Sequence, residues 1–395
     1  KRFREEFTYM AIVCDASAIR KKLRMLVYGE QGTGKSRFAM QFCYMKTPEG
    51  RPFRVLYLDT ESGSIDDYRE ELMDNGLDPM NLRIVYTQSL AEVQDFIHTV
   101  ADNEDFEDED GNVWLDADGK PFRADAIVVD SATILNLTTK QGLTNFSQKR
   151  AKVKAAAQGL TGDEKSVKIE GAGMELKDYQ QLNFKGQSLI LDLNATGVSY
   201  IVICREKDET ETKLVNGSSV SVSTGRKIPD GFKGQEYNVG TEFRMYHPSD
   251  DKSINFAYFD KDRTGVHNGG EVVEDLTLLE YQEYLDRSAK NHEVIIKNGL
   301  NDAVKTEMKL RARELGLDDN DISDDTPAEN TSESKEPSLD DIKAKLNDLI
   351  ASASPVKKSA AQKAVKAAGL STAFRSMTDI EELKKVAAIM EKELA

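Results

Sequence analysis

Cysteine, histidine and tryptophan are scarce in this chain, at 3, 4 and 1 among 395 residues. Cys14, Cys43 and Cys204 stand far apart, two of them in or beside apolar segments. This spacing offers no disulfide framework and no metal-ligand set, and it suits reduced, buried thiols in a cytoplasm. His98, His247, His267 and His292 are as scattered, so no structural zinc is expected. No apolar run approaches membrane-spanning length, and the first residues lack a signal-peptide apolar core. The expectation is therefore a cytoplasmic protein with no membrane partner. The chain starts at Lys1 without Met, which leaves room for further native sequence upstream.

Positive charge is also in deficit: 53 Lys and Arg stand against 69 Asp and Glu, for a net charge of −16. The acid is concentrated, however. One block runs from Asp102 to Asp110 and another from Asp318 through Asp325 to Glu336. Such blocks read as solvated loops or tails, and the body left without them is near balance. That balance neither demands nor excludes a polyanionic partner. The length exceeds a usual single core, and 39% apolar residues suffice for one sizeable core, so one domain with appendages or two domains are expected.

The most informative segment present is Gly29-Glu30-Gln31-Gly32-Thr33-Gly34-Lys35-Ser36, which fits G-x-x-x-x-G-K-[ST]. Glycines let backbone N–H groups turn toward phosphate oxygens, and the following helix aims its positive end at them. Lys35 would reach the β- and γ-phosphates, and the Ser36 hydroxyl would ligate Mg²⁺. A short apolar strand, 25–28, precedes the loop, and a helix over 36–45 follows it. The whole octet is the expected nucleotide cradle.

Strands and helices alternate beyond it. Strands are expected at 54–58, 82–86, 126–129 and 200–204, and helices at 65–75, 91–100 and 176–194. Continuous β-branched runs between helices indicate a parallel sheet covered on both faces, an α/β fold. The Asp-Gly pairs at 110–111 and 118–119 suggest an exposed hairpin in the acidic insert 102–120. Asn216-Gly217 signals a hairpin between 211–215 and 218–223. Strands at 242–246 and 254–259 read as antiparallel edge strands, followed by helices at 277–286 and 291–315. Residues 317–338 read as an acidic disordered linker, and 339–395 as a small three-helix module opened by a capping box at Ser338. No internal repeat is evident.

A phosphate loop alone does not hydrolyse; a magnesium-side carboxylate and a group that activates water are also needed. Asp130 ends the apolar strand 126–129 and is the candidate second metal ligand beside Ser36. Glu61 follows the strand after the loop's helix and is the candidate general base. The segments Val55-Leu-Tyr-Leu-Asp-Thr-Glu61 and Ile127-Val-Val-Asp-Ser131 resemble the catalytic-glutamate and Walker B strands of RecA-type recombinases. The resemblance covers about residues 24–270 and is most similar to phage-encoded RecA-like single-strand annealing ATPases of the Sak group. It implies a RecA-like core over 1–290, with a helical extension at 291–316, ATP and Mg²⁺ as cofactors, and an adenine-stacking Tyr68 seven residues past Glu61. Lys261-Asp-Arg263 resembles a K-x-R motif whose basic pair reaches a neighbouring subunit's ATP. Arg205-Glu206 stand where the family carries a γ-phosphate-sensing glutamine or histidine, which leaves that coupling open, and the acidic insert is foreign to the pattern.

The resemblance also implies single-stranded DNA on two loops, within a homo-oligomeric ring or filament. The first candidate loop, 137–173, carries Lys149, Arg150, Lys152 and Lys154; the second, 205–240, carries Arg226 and Lys227, and Phe146 and Phe232 are candidate stacking residues. The C-terminal module offers a surface for a single-strand-binding or other replication protein. The leading expectation is thus a DNA-stimulated ATPase of phage-type annealing or recombination, acting in a bacterial host cytoplasm. A DnaB-like ring helicase or translocase and an ATP-gated assembly scaffold are the alternatives.

Overall fold

The computed structural model describes residues 20–63, 65–108, 110–215, 218–248, 251–287, 297–314, 363–366, 368 and 385–390. The chain divides into two units, Lys1–Ile322 and Ser323–Ala395. In the second, the described stretches 363–366 and 385–390 are helical. The expected linker and most of the expected three-helix module lie outside the described residues, as do Cys14 and the capping box at Ser338.

The first unit is built on a nine-stranded sheet. Its parallel part contains β1 (Arg24–Gly29), β2 (Val55–Asp59), β3 (Leu82–Tyr86), β4 (Ala126–Asp130), the start of β5 (Ser199–Val215) and β7 (Thr241–Tyr246). β8 (Phe256–Asp262) and β9 (Val272–Glu274) add antiparallel at one edge, giving the order β3-β2-β4-β5-β1-β7-β8-β9. The expected α/β class and mostly parallel sheet are what the molecule has. β7, however, runs parallel to β1 rather than antiparallel. Residues 231–240 bring the chain back along the sheet, burying Phe232 and Val239, before β7 begins.

Helices cover both faces because the central strands are apolar on both. Met25 and Val27 join one core cluster with Phe38, Phe42, Phe243 and Phe259; Leu26 and Tyr28 join the other with Val93, Ile97, Leu189 and Phe232. α1 (Lys35–Met40), α2 (Arg69–Asp74) and α7 (Gln282–Asp286) supply residues to the first cluster, directly or through their flanking turns. α3 (Leu90–Ala101), α4 (Ala132–Ala157) and α6 (Leu176–Ala195) supply the second. α5 (Gly162–Glu170) packs on α4, and α8 (Leu300–Glu314) follows an anchor in which Asn298 donates to Asp192 at 2.6 Å.

Two further expectations change. The segment 137–173 is not a loop but the distal part of α4 plus α5, two helices joined by a short turn. The acidic insert does contain a repeat, of eight residues. Asp108-x-Asp110-Gly111 and Asp116-x-Asp118-Gly119 make successive turns of one design, with Asp108 N donating to Asn112 O at 2.9 Å and Asp116 N to Lys120 O at 2.8 Å. Phe106, Trp114 and Phe122 recur at that spacing. The Phe106 and Trp114 rings stack with centroids 5.1 Å apart, and Phe122 meets Phe106 edge-on at 6.1 Å.

Candidate active site

The chain leaves β1 toward β2, on the far side of β5 and β4, and that reversal opens a crevice at the strands' C-terminal ends. Gly29 pairs in register with Arg205, and Asp130 lies between Asp59 and Ile203. Residues 176 positions apart in sequence, Gly29 and Arg205, therefore meet here. The crevice is a cavity of about 510 Å³ lined by the 29–36 loop, Glu61, Tyr68, Asp130, Ser131 and Arg205-Glu206. A second cavity of about 430 Å³ shares Gly34 and Tyr68 with it, and adds Tyr44, Asn255, Phe256 and Asp275.

The loop's glycines have distinct tasks. Gly32 and Gly34 adopt φ of +81° and +79°, which turn the loop tightly. Gly29, at φ +149°, sits where a Cβ would lie 1.9 Å from the Met245 carbonyl oxygen, so a side chain would force β1 and β7 apart. Thr33 donates to Glu30 O at 3.0 Å and fixes the turn.

The Ser36 hydroxyl donates to Asp130 Oδ2 at 2.6 Å, and Tyr57 OH donates to the same oxygen at 2.6 Å. Asp130 is 2% exposed, so this carboxylate is held by hydrogen bonds rather than by water. Ser36 and Asp130 form a pair of hard oxygen donors at the mouth of the loop. That set fits Mg²⁺, which typically takes one or two protein ligands and completes its shell with water and phosphate. Accordingly, among the described residues no group of three or more His, Cys, Asp or Glu is arranged to hold a metal ion by itself.

Lys35 folds back on its own loop, its ammonium donating to the carbonyls of Gly29, at 3.1 Å, and Glu30. Burial pushes its pKa down; Asp130, Glu61 and Glu206 pull it up, while Arg205 opposes them. An anion with several negative charges placed in the crevice would favour the charged form further.

Glu61 faces the loop from the end of β2. Its backbone N–H donates to Asp59 Oδ1 at 2.8 Å, and Asp59 Oδ2 accepts from Gly63 N at 2.9 Å, so a buried carboxylate shapes the turn that presents it. Glu61 Oε1 accepts from Ser131 Oγ at 2.7 Å and from Arg205 Nε and Nη2 at 3.2 and 3.0 Å. The Arg205 contact carried no sequence signal. A second unforeseen pair lies beside it: Arg244 donates to Glu206 at 2.7 Å and to Glu30 of the loop at 3.1 Å.

Lys261 and Arg263 do not join this crevice. Lys261 pairs in register with Glu242, which pairs with Leu26, three residues before Gly29 and roughly 10 Å down the strand. The Lys261 ammonium donates to the Glu236 carbonyl, and burial pushes its pKa down, with Glu242 opposing. The Arg263 side chain is exposed.

The basic residues named for DNA are mostly engaged. Arg150 pairs with the buried Asp178, Lys154 with Glu175 at 3.5 Å, Arg226 with Asp260 at 3.2 Å and Lys227 with Asp208 at 2.9 Å. Lys149 and Lys152 are exposed on α4. Phe146 is 56% exposed, with the Arg150 guanidinium 5.2 Å from its ring centroid, whereas Phe232 is 2% exposed and packs against Gly186. β5 continues past the sheet and pairs with β6 (Ser218–Asp230) as a two-stranded ribbon; its turn residues 216 and 217 lie outside the described residues. Cys43 and Cys204 are buried free thiols whose pKa values burial pushes up to about 12, so both stay protonated and unreactive. Among the described residues no helix is long and apolar enough to cross a membrane.

No family model matches the sequence, and no curated protein does. Among solved structures, the chain is similar to one described as the crystal structure of the RadB recombinase, at 15% identity and a TM-score of 0.34. The match covers 63% of this chain and 84% of that one. A likeness of that extent carries no functional assignment, so the chemistry rests on the residues described above.

Proposed function

We propose that this protein is a RecA-like ATPase that binds single-stranded DNA, hydrolyses ATP between subunits of a homo-oligomer, and serves phage-type annealing or recombination. The observation that carries the reading is the convergence of three elements on one crevice: the 29–36 loop, the Ser36–Asp130 oxygen pair at 2.6 Å, and Glu61 held on Ser131 at 2.7 Å. Mg²⁺, when bound, would neutralise charge on the phosphates and be held by Ser36 and Asp130.

In this reading Lys35 exchanges the carbonyls of Gly29 and Glu30 for phosphate oxygens. Glu61 takes a proton from the attacking water, whose oxygen bonds the γ-phosphorus as the bond to the β–γ bridging oxygen breaks and ADP leaves. Tyr68 lines both cavities and can stack on the base. Lys261 and Arg263, remote from their own subunit's crevice, serve a neighbour's site and stabilise charge developing there. Lys149 and Lys152 on α4, with Phe146 for stacking, are the exposed candidates for nucleic acid, and Arg226 and Lys227 join only by giving up carboxylate partners.

The test is ATP turnover with and without single-stranded DNA in the wild type, Lys35→Ala and Arg263→Ala. DNA-stimulated turnover lost in both variants is expected. If Arg263→Ala is inactive alone but recovers when mixed with Glu61→Gln subunits, the trans assignment holds. Turnover indifferent to DNA removes the nucleic-acid role, and normal turnover in Arg263→Ala removes the intersubunit one.

A further inference from the structure

Four carboxylates line the crevice, those of Glu30, Glu61, Asp130 and Glu206, beside two cations, Lys35 and Arg205. A site of that make-up repels a polyanion unless its acids are engaged. Glu61 is paired with Arg205, and Asp130 belongs to the oxygen pair suited to Mg²⁺. Glu30 and Glu206 take their cation from outside the crevice lining. Arg244 stands on β7 in register with Tyr28, one residue before the loop leaves β1. Its guanidinium forks onto Glu206, Nε donating to Oε2 at 2.7 Å and Nη2 to Oε1 at 3.1 Å. Nη2 also donates to Glu30 Oε1 at 3.1 Å. Lys227 adds a looser contact to Glu206 at 3.8 Å while holding Asp208 at 2.9 Å. The charge of Glu206 reaches the loop's lysine: burial pushes the Lys35 pKa down, and Asp130, Glu61 and Glu206 pull it back.

We infer that Arg244 makes the crevice able to accept a polyanion, by neutralising Glu30 and Glu206 together without touching the ligand. The inference rests on the reading of the crevice as a nucleotide site. Arg244 is a positioning residue in this scheme, acting through the two carboxylates. Glu206 is 11% exposed, so loss of its fork leaves a nearly buried anion facing the phosphates. Glu30 is 44% exposed and better screened by water, so Glu206 carries more of the effect. The Tyr246 ring, its centroid 4.9 Å from the guanidinium carbon, steadies the fork from the same strand. Repulsion between charges grows with the charge of the ligand and fades with salt. A loop that merely lost its shape would lose ATP and ADP alike.

The test is equilibrium titration of the full chain with a non-hydrolysable ATP analogue and with ADP, in Mg²⁺ buffer at low and high salt. The variants are Arg244→Gln, Glu206→Gln and the double variant. Arg244→Gln should weaken binding of the ATP analogue roughly tenfold at low salt, with smaller losses for ADP and at high salt. Glu206→Gln should restore most of that affinity in the double variant, and alone should bind the analogue about two- to fourfold tighter than wild type. Equal losses for the two nucleotides, or a double variant as weak as Arg244→Gln, would make Arg244 a structural brace and overturn the inference. Unchanged affinity in Arg244→Gln would overturn it as well. Should Arg244→Gln fail to fold, Glu206→Gln decides alone: tighter binding supports the charge role, and weaker or unchanged binding refutes it. If wild type binds neither nucleotide, the nucleotide reading falls along with the inference; binding by wild type with any of the other failures leaves that reading standing.

Discussion

Two glycines of the same loop should respond very differently to the same methyl group. At Gly29 an added Cβ lies 1.9 Å from Met245 O and 2.8 Å from Met245 C, both backbone atoms of a strand that cannot rotate away. At Gly32 nothing lies within 4 Å, and only the φ of +81° opposes a side chain. Gly32→Ala should therefore cost about 1–2 kcal/mol, the strain of a left-handed residue. Gly29→Ala adds a packing clash of about 1–3 kcal/mol to conformational strain of about 1–3 kcal/mol, for a loss of about 2–6 kcal/mol. It also strains the hydrogen bond from Glu30 N to Met245 O, which is already 3.3 Å long. Trp114, the single tryptophan, is stacked against Phe106 and Phe96 and reports unfolding by fluorescence. In urea, Gly29→Ala should lower the midpoint well beyond Gly32→Ala, by about 1 M or more relative to wild type. Equal midpoints for the two variants would refute the claim that β7 presses on the first glycine of the loop.

Glu242 is pushed up to about 7 by burial, with Asp260 adding to the shift. The folded state therefore binds more protons than the unfolded one between about pH 4.5 and 7, and stability falls as pH rises through that window. Glu242→Gln should gain about 1–2 kcal/mol over wild type near pH 8 and nothing near pH 4, by denaturant melts at the two values. His98 is raised by its hydrogen bond to Asp192, so its contribution is full below its ordinary value of 6.5 and is lost as pH rises through the higher folded value. Burial would raise Asp192, but bonds from His98, Asn298 and Gln94 outweigh it and hold it low. His98→Gln should flatten that slope in the thermal midpoint as pH rises above 6.5. Arg150→Ala leaves Asp178 with its bonds from the Ser147 hydroxyl and the Glu175 N–H but without its cation, and should lower the thermal midpoint. Lys152→Ala should leave stability within about 0.5 kcal/mol while reducing the salt slope of DNA binding by about 1.

How much of this was legible in the sequence follows from the kind of signal each element carries. The loop 29–36 and the strands around it announce themselves, because phosphate binding fixes glycine positions and buried parallel strands must be apolar on both faces. The direction of β7 did not, since hydrophobic pattern is the same whichever way a strand runs. The helix α4 was obscured by its polarity and by Gly142. Within it, local side-chain bonds such as Gln141 to Asn145 at 2.8 Å and Thr144 to Lys140 O at 2.9 Å accompany a largely exposed surface. The eight-residue repeat in the insert was hidden because only Asp, Gly and an aromatic recur. Arg205 and Glu61 are partners across 144 residues, a pairing that only strand order creates.

The central claim is that Glu61 activates water in a crevice that binds ATP without it. Its most direct test is Glu61→Gln, measured for ATP affinity by equilibrium titration with a fluorescent analogue and for turnover in the same Mg²⁺ buffer. Affinity within about twofold of wild type with turnover reduced about 100-fold or more is the expected result for a lost general base. Turnover retained at the wild-type level would contradict the account, whatever the affinity.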